Sequence, residues 1–276
     1  MFSLLFKISG SYENLTSRRN TFSSFARYFF IKIYSVLFVF LSNFILNAQT
    51  EKNIDHQSVL WTRYYNQLTI NKKWSIHSEF DNRLFTNAVK QNLYVARIQG
   101  RFKLNDQFEI GSGFAYFLVY TQDPNIDLDY KLPEYRGQQD ITWKQNINKL
   151  NFNQRFQVEE RFFQNANKLE LLSGTTFYWR FRYRIQGTYE IWKKDKLSFK
   201  AILSDELMIN AGEKVVKNIF DQNRIYGAMQ IDINKNITLE LGYLNSFQQR
   251  SNGIDYFSRD IVRFSFYHKI NICKKS

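Results

Sequence analysis

The stretch FYWRFRYRIQGTYEI, residues 177–191, decides the fold because it combines two opposite chemical environments in one short segment. The residues of one parity are mostly aromatic or aliphatic, and those of the other parity are mostly charged or polar. The apolar set is Phe177, Trp179, Phe181, Tyr183, Ile185, Tyr189 and Ile191, and the polar set is Tyr178, Arg180, Arg182, Arg184, Gln186, Thr188 and Glu190. Because successive side chains of a β-strand point to opposite faces, the stretch predicts a strand with one apolar and one charged face.

The same alternation recurs along the chain after residue 58, which favours a barrel over a soluble sandwich. It predicts strands at 58–70, 74–86, 91–104, 107–122, 134–147, 150–164, 173–191, 197–209, 222–233, 237–250 and 259–272. Aromatic residues on one face and ions on the other are typical of a barrel with lipid outside and a polar lumen. We therefore predict an all-β fold, a transmembrane antiparallel up-and-down β-barrel of ten to twelve strands.

The connections set the direction of each strand and raise a question about the strand number. Short connections at 71–73, 105–106, 148–149, 192–196 and 234–236 alternate with longer ones at 87–90, 123–133, 165–172, 210–221 and 251–258. Outer-membrane barrels show this alternation and normally have an even number of strands. Eleven strands would leave the closing pair parallel. Either residues 49–57 supply a further upward pass, giving twelve strands, or one segment is miscounted, giving ten; we favour twelve.

The N-terminal segment has the features of an export signal. Residues 28–46, YFFIKIYSVLFVFLSNFIL, are largely apolar, follow three arginines at positions 18, 19 and 27, and precede Asn47-Ala48-Gln49. This order predicts a Sec signal peptide with an N-terminal extension, residues 1–48, cleaved after Ala48. A retained transmembrane anchor is the alternative, because about 20 apolar residues span a bilayer. After cleavage of the signal peptide, we expect the insertion machinery to assemble residues 49–276 as a barrel in the outer membrane of a Gram-negative cell. The outer face of this barrel would contact the lipid bilayer.

Composition disfavours several other functions. The net charge is +13, but lysine and arginine occur at every second position or in turns instead of forming a basic strip, so we do not expect nucleic-acid binding. The single cysteine, Cys273, excludes an intramolecular disulfide and a multi-cysteine metal site. No motif predicts a cofactor.

The charged parity carries the candidate functional residues, which we expect to line the lumen. They are Glu79, Asp81, Arg83, Arg97, Arg101, Arg136, Asp140, Arg155, Glu159, Arg161, Arg180, Arg182 and Arg184. Opposite charges on neighbouring strands could pair and fill a small barrel. Alternatively, the ladder of Arg180, Arg182 and Arg184 could make a narrow pore that prefers anions, since rings of arginine favour anions.

Four further segments resemble a known family. They are Trp61, the run WSIHSEFDNRLF at 74–85 with its Glu79-x-x-x-Arg83 spacing, QNRIYG at 222–227 and NITLELGYLN at 236–245. Together they are similar to the domain-of-unknown-function 2490 family of Gram-negative bacteria, over nearly all of residues 49–276. The resemblance implies an outer-membrane-type barrel without an established activity, and it assigns no catalytic residues.

We expect a passive pore or small-solute uptake protein for anionic solutes, with a structural or ligand-binding barrel with a plugged lumen as the alternative. External loops 123–133 and 210–221 could also bind a partner. An outer-membrane lipid hydrolase is a remote alternative. His77 shares a strand with Ser75 and Ser78, but adjacent strand residues face opposite sides and no nucleophile signature is present. His77, Glu79 and Asp81 share one face at a spacing that could meet a cation, although polar lumens produce this pattern routinely.

Overall fold

Eleven β-strands form one closed barrel in this computed structural model, which describes residues 52–126, 130–167, 170–215 and 217–272. The strands are β1 (Ile54–Thr69), β2 (Trp74–Phe85), β3 (Lys90–Lys103), β4 (Phe108–Val119), β5 (Leu132–Ile147), β6 (Leu150–Ala166), β7 (Leu171–Lys194), β8 (Leu197–Ala211), β9 (Phe220–Asp232), β10 (Ile237–Gln249) and β11 (Tyr256–Asn271). No helix among these residues is long and apolar enough to cross a membrane. The proposed signal peptide, 1–48, lies outside the described residues.

The barrel closes through a parallel pair. Every strand pairs antiparallel with its neighbour in sequence, and β1 pairs parallel with β11 from Ile54↔Tyr256 to Thr69↔Asn271. The predicted fold class is confirmed, and the count is eleven instead of the favoured twelve. Residues 54–57, which we expected in a separate upward pass, continue without a turn into β1. Closure leaves no free strand edge, because the parallel ladder uses the hydrogen-bonding groups of both terminal strands.

The β10–β11 connection fastens the start of β1 at this seam. The Tyr256 N–H donates to the Asn53 carbonyl oxygen at 2.9 Å, and the Asn53 N–H donates to the Asp255 carboxylate at 3.2 Å. Asn252 Nδ2 also donates to Asp255, at 2.6 Å. The hydrogen bonds from Asn252 and Asn53 favour the ionised carboxylate and lower the pKa of Asp255 below its ordinary value.

Asparagine and aspartate shape the short turns at one end of the barrel, the turn end. The side-chain oxygens of Asn71, Asn105 and Asn234 each accept two backbone N–H groups from the residues that follow. Asn148 and Asp195 adopt positive φ angles of 53° and 51°, which these residue types tolerate better than most. Local side-chain chemistry therefore explains the tight connections.

The other end of the barrel, the loop end, is less uniform than the sequence pattern predicted. The connections at 120–131, 212–219 and 250–255 are longer than any at the turn end, but those at 86–89 and 167–170 are no longer than the turn at 70–73. Loop length thus alternates along only part of the chain.

The outer face is apolar and the interior is polar. Outside β1, every aromatic or aliphatic residue that the alternation places outward is exposed or half-buried, and Phe114 is 73% exposed. Buried positions include Asp81 at 0% and Glu159 at 1% exposure, both on the inward parity. On β1, whose faces could not be assigned from sequence, Trp61 points inward and Tyr64 outward. Aromatic residues on both of its faces hide the alternation there.

Candidate functional site

All of the charged residues predicted to face the lumen do so, and most of them pair with one another. Two clusters meet in the middle of the barrel, one built on strands β1–β3 and the other on strands β5–β9. A third lies nearer the turn end, on strands β3–β5. The pairing partners come from the same strand two positions away, from adjacent strands or from strands one removed, because inward side chains of neighbouring strands share one register.

The first cluster is built around two acids on β2. Arg63 Nη2 lies 2.6 Å from Glu79 Oε2, and Arg97 Nη1 bonds the other oxygen of Glu79. Asp81 accepts from Arg83 Nη2 at 3.3 Å and has Arg97 Nη1 at 3.5 Å. Three arginines from three strands therefore hold two neighbouring carboxylates, which reduces the repulsion between the acids.

Trp61 supplies an uncharged surface for Arg83 of this cluster and for Arg263 on β11. The Arg83 guanidinium carbon lies 3.6 Å from the centre of the Trp61 ring, and that of Arg263 lies 5.3 Å from it. Cations are attracted to the face of an aromatic ring, best of all to tryptophan. This inward tryptophan thus helps to hold cations that the acids alone do not balance.

The second cluster is centred on Glu159. Its carboxylate accepts from Arg180 Nε at 2.9 Å, Arg182 Nη1 at 2.5 Å, Arg136 Nη1 at 3.2 Å and Gln157 Nε2 at 3.0 Å. Charge-assisted hydrogen bonds of this kind are the strong ones in proteins. One buried acid therefore fixes three arginines on β5 and β7.

Glu206 extends this cluster towards β9. Arg182 Nη2 donates to both of its oxygens at 2.8 Å, Arg155 Nη2 donates to Oε1 at 2.8 Å, and Arg224 Nη1 lies 3.8 Å from Oε2. Arg182 therefore bridges Glu159 and Glu206. Of the predicted arginine ladder, Arg180 and Arg182 are neutralised by acids and do not form a free ring.

The third cluster shows why a glycine is needed on β4. Arg101 and Asp140 are in register on either side of Gly111, and Arg101 Nη2 reaches Asp140 Oδ1 at 2.9 Å. A Cβ at Gly111 would lie 2.7 Å from Asp140 Oδ2. Glycine at this position therefore leaves room for the ion pair across β4, whereas a Cβ would make the ends of the Asp140 and Arg101 side chains shift. Glu109 accepts from Arg101 and from Lys144, the latter at 2.7 Å.

The packed middle divides the lumen into two cavities. A loop-end cavity of about 1260 Å³ and a turn-end cavity of about 410 Å³ share three lining residues, Arg97, Arg182 and Arg224. We call these arginines, with Asp81, Glu159 and Glu206, the central ionic layer. Its acids are nearly inaccessible to water, and the layer lies between the two cavities.

The loop-end cavity is cationic. Among its described lining residues, arginine and lysine outnumber carboxylates: Arg83, Arg97, Arg136, Arg161, Arg180, Arg182, Lys214, Arg224, Arg250 and Arg259 face Asp123, Glu134 and Asp221. No carboxylate of the described residues lies within 4.0 Å of the Arg259 guanidinium. The side-chain amide oxygens of Gln57, Gln122 and Gln248 accept its N–H groups instead, at 2.7 to 2.9 Å. Cavities lined by one sign of charge concentrate ions of the opposite sign.

Ser75 and His77 meet inside the barrel, whereas Ser78, the neighbour of His77 in sequence, lies on the opposite face of the strand. Ser75 Oγ lies 3.0 Å from His77 Nε2, because residues two apart on a strand share a face. The other ring nitrogen contacts the Tyr65 hydroxyl, where a catalytic triad would place an orienting acid. No group of three metal-ligating residues converges among the described positions, and Glu79 and Asp81 bind arginines instead of joining His77.

Several lumen residues were missed by the sequence interpretation. Trp61 and Arg63 were missed because both faces of β1 carry aromatic side chains. Arg259 and Arg263 could have been found, since Val262 and Phe264 mark the outward parity of β11 and the alternate positions must point inward.

Comparison with known proteins gives one family and one solved structure. The sequence profile of the family described as a protein of unknown function, DUF2490, matches residues 59–257. A structure described as the NanC porin in a rhombohedral crystal form is 15% identical, with a TM-score of 0.42, and the match covers 72% of this chain and 91% of that one. No curated protein matches the chain. At this level the structural similarity concerns the course of the backbone and carries nothing about the lumen.

Proposed function

The chain belongs to the DUF2490 family of proteins of unknown function, and we propose that it acts in the outer membrane as an uptake barrel for small anionic solutes. The observation that carries this proposal is the excess of arginine over carboxylate around the loop-end cavity. A cationic vestibule with low-dielectric walls raises the local concentration of anions. Solutes would enter at the loop end and move towards the turn-end cavity.

The central ionic layer would act as the resistance to passage. Arg97, Arg182 and Arg224 reach both cavities, so an anion that leaves the first can contact an arginine shared with the second. For the anion to pass, these arginines must move slightly away from the carboxylates that they bind. We therefore expect slow, anion-selective flux through the unmodified barrel.

Liposome swelling tests this proposal directly. Full-length protein reconstituted into liposomes should admit a small carboxylate such as gluconate faster than a neutral sugar alcohol of similar size. Empty liposomes correct for leakage. Equal rates for the two solutes would remove the preference for anions, and no swelling with either would remove uptake.

A second candidate is a ligand-binding barrel without passage, which the burial of Asp81 and Glu159 favours. Anion binding without swelling would support this candidate over the first. The remote alternative, a lipid hydrolase, has only the Ser75–His77 contact in its favour. Covalent labelling of Ser75 by a fluorophosphonate would support the hydrolase alternative.

Membrane insertion is supported by the apolar outer face and makes a prediction of its own. Phe114, near the middle of β4, should face acyl chains. Phe114→Arg is expected to lower the free energy of unfolding by about 2 to 4 kcal/mol, because a cation on the lipid face of a barrel is costly near the bilayer midplane. Urea unfolding in liposomes, followed by tryptophan fluorescence, measures the change.

The matched control is Phe114→Leu, which keeps an apolar side chain at the same position. It should lie much closer to wild type than Phe114→Arg does. If both variants unfolded at the same urea concentration, Phe114 would not contact lipid. On the surface of a water-soluble protein, arginine would be tolerated better than leucine at this position. Which of the two variants is the more stable therefore shows whether Phe114 faces lipid or water.

A further inference from the structure

Arg184 is a lumen cation that the other residues leave without a partner. It lies on β7 directly opposite Arg155 on β6 and Glu206 on β8, and it lines the turn-end cavity. Its side chain makes no hydrogen bond, and no ion pair within 4.0 Å, with any residue that the structure describes. Its Nε is buried.

The neighbouring acid cannot serve Arg184 because other arginines already occupy it. Both oxygens of Glu206 accept from Arg182, and Oε1 also accepts from Arg155, whose side chain reaches past Arg184 to do so. Arg224 approaches the same carboxylate at 3.8 Å. One negative charge therefore faces four guanidinium groups.

Such an arrangement favours an added anion. Like charges directly opposite on neighbouring strands repel each other, and an uncompensated buried charge is strongly destabilising. The two donor forks of Arg155 and Arg184 border a cavity of about 410 Å³, which is large enough for a small oxyanion. Guanidinium groups match the geometry of phosphate and carboxylate oxygens.

We propose that the turn-end cavity contains a binding site for a small oxyanion, of which inorganic phosphate is the simplest, with Arg184 as its main ligand and Arg155 beside it. The site lies beyond the central ionic layer, on the turn-end side. The inference rests on the proposed function, in which this site would bind an anion that has passed the central ionic layer.

Calorimetric titration of detergent-folded full-length protein with inorganic phosphate at low ionic strength tests the site. Wild type should bind phosphate, and Arg184→Gln should bind at least about 10-fold more weakly, a loss of about 1.4 kcal/mol. The control is Lys72→Gln, which removes one positive charge from an exposed turn outside both cavities and should bind phosphate as wild type does. Heat-modifiable gel migration confirms that each variant is folded.

Arg184→Gln is expected to fold well, because it removes an unpaired charge. Without phosphate it should be at least as stable as wild type, and phosphate should stabilise wild type but not the variant. Arg184→Lys offers a second folded comparison, since it keeps the charge, loses the planar fork and should bind with intermediate affinity.

Undetectable phosphate binding by wild type, or equal binding by Arg184→Gln, would overturn the site. These results are separable from the test of uptake. Anion-selective swelling without phosphate binding at Arg184 would refute the site and leave the proposed function intact. Phosphate binding without swelling would refute uptake and leave the site intact.

Discussion

Glu159→Gln is expected to lower the free energy of unfolding by about 3 to 5 kcal/mol, the range found when one partner is removed from a buried ion pair. Glu159 is 1% exposed and is the shared acceptor of Arg136, Arg180 and Arg182. The amide keeps the size of the side chain but removes its charge and two of its acceptor sites. Three cations then remain close together in a space that admits almost no water.

The comparison that isolates this effect is Glu160→Gln on the next residue of β6. Glu160 points to the outer face, where it is in register with Gly137 and Trp179. Neutralising it should leave stability unchanged or raise it slightly, since a lipid-facing charge is unfavourable. Urea unfolding of both variants in the same liposomes measures the difference.

A double variant distinguishes charge balance from simple loss of contacts. Adding Arg180→Gln to Glu159→Gln removes one of the stranded cations, so it should recover part of the lost stability. If the double variant were less stable than Glu159→Gln by the full effect of Arg180→Gln alone, the two residues would be independent and the cluster would not be held by its charges.

The strands and their faces were predictable because they follow a rule with a period of two. The alternation at residues 177–191 places Trp179 outside and Arg182 inside, as found. β1 was not predictable in this way, because Trp61 and Tyr64 put aromatic rings on both of its faces. A closed barrel was predicted, but the choice of a parallel closing pair was not, since hydrogen bonding between β1 and β11 joins residues about 200 positions apart and leaves no local sign in either strand.

The candidate site was predictable as a set of residues but not as a set of pairs. Parity shows that Arg180, Arg182 and Arg184 point inward, but not that Glu159 and Glu206 neutralise the first two. Pairing depends on the register between strands and on the reach of long side chains. Arg155 shows this, because it bypasses the adjacent Arg184 to bind Glu206. Of the three ladder arginines, Arg184 alone lacks an acid partner among the described residues, so it is the one that we propose as an anion ligand.

Replacing Arg97, Arg182 and Arg224 together with alanine should open the barrel, because these are the residues that both cavities share. The variant should conduct in a planar bilayer at several times the wild-type level. It should also discriminate less between anions and cations, since three positive charges are lost from the boundary between the two cavities. Single-channel recording, with the reversal potential measured in a salt gradient, gives both quantities.

The triple variant should still fold, because each acid of the central ionic layer keeps an arginine. Glu159 retains Arg136 and Arg180, Glu206 retains Arg155, and Asp81 retains Arg83. A matched triple variant at Arg250, Arg259 and Lys214 removes three cations from the loop-end cavity without touching the layer. It should lower the preference for anions but leave the conductance near that of wild type. If wild type and both variants had the same conductance, the central ionic layer would not be the barrier. Removing its three arginine side chains would then have had no effect on the current.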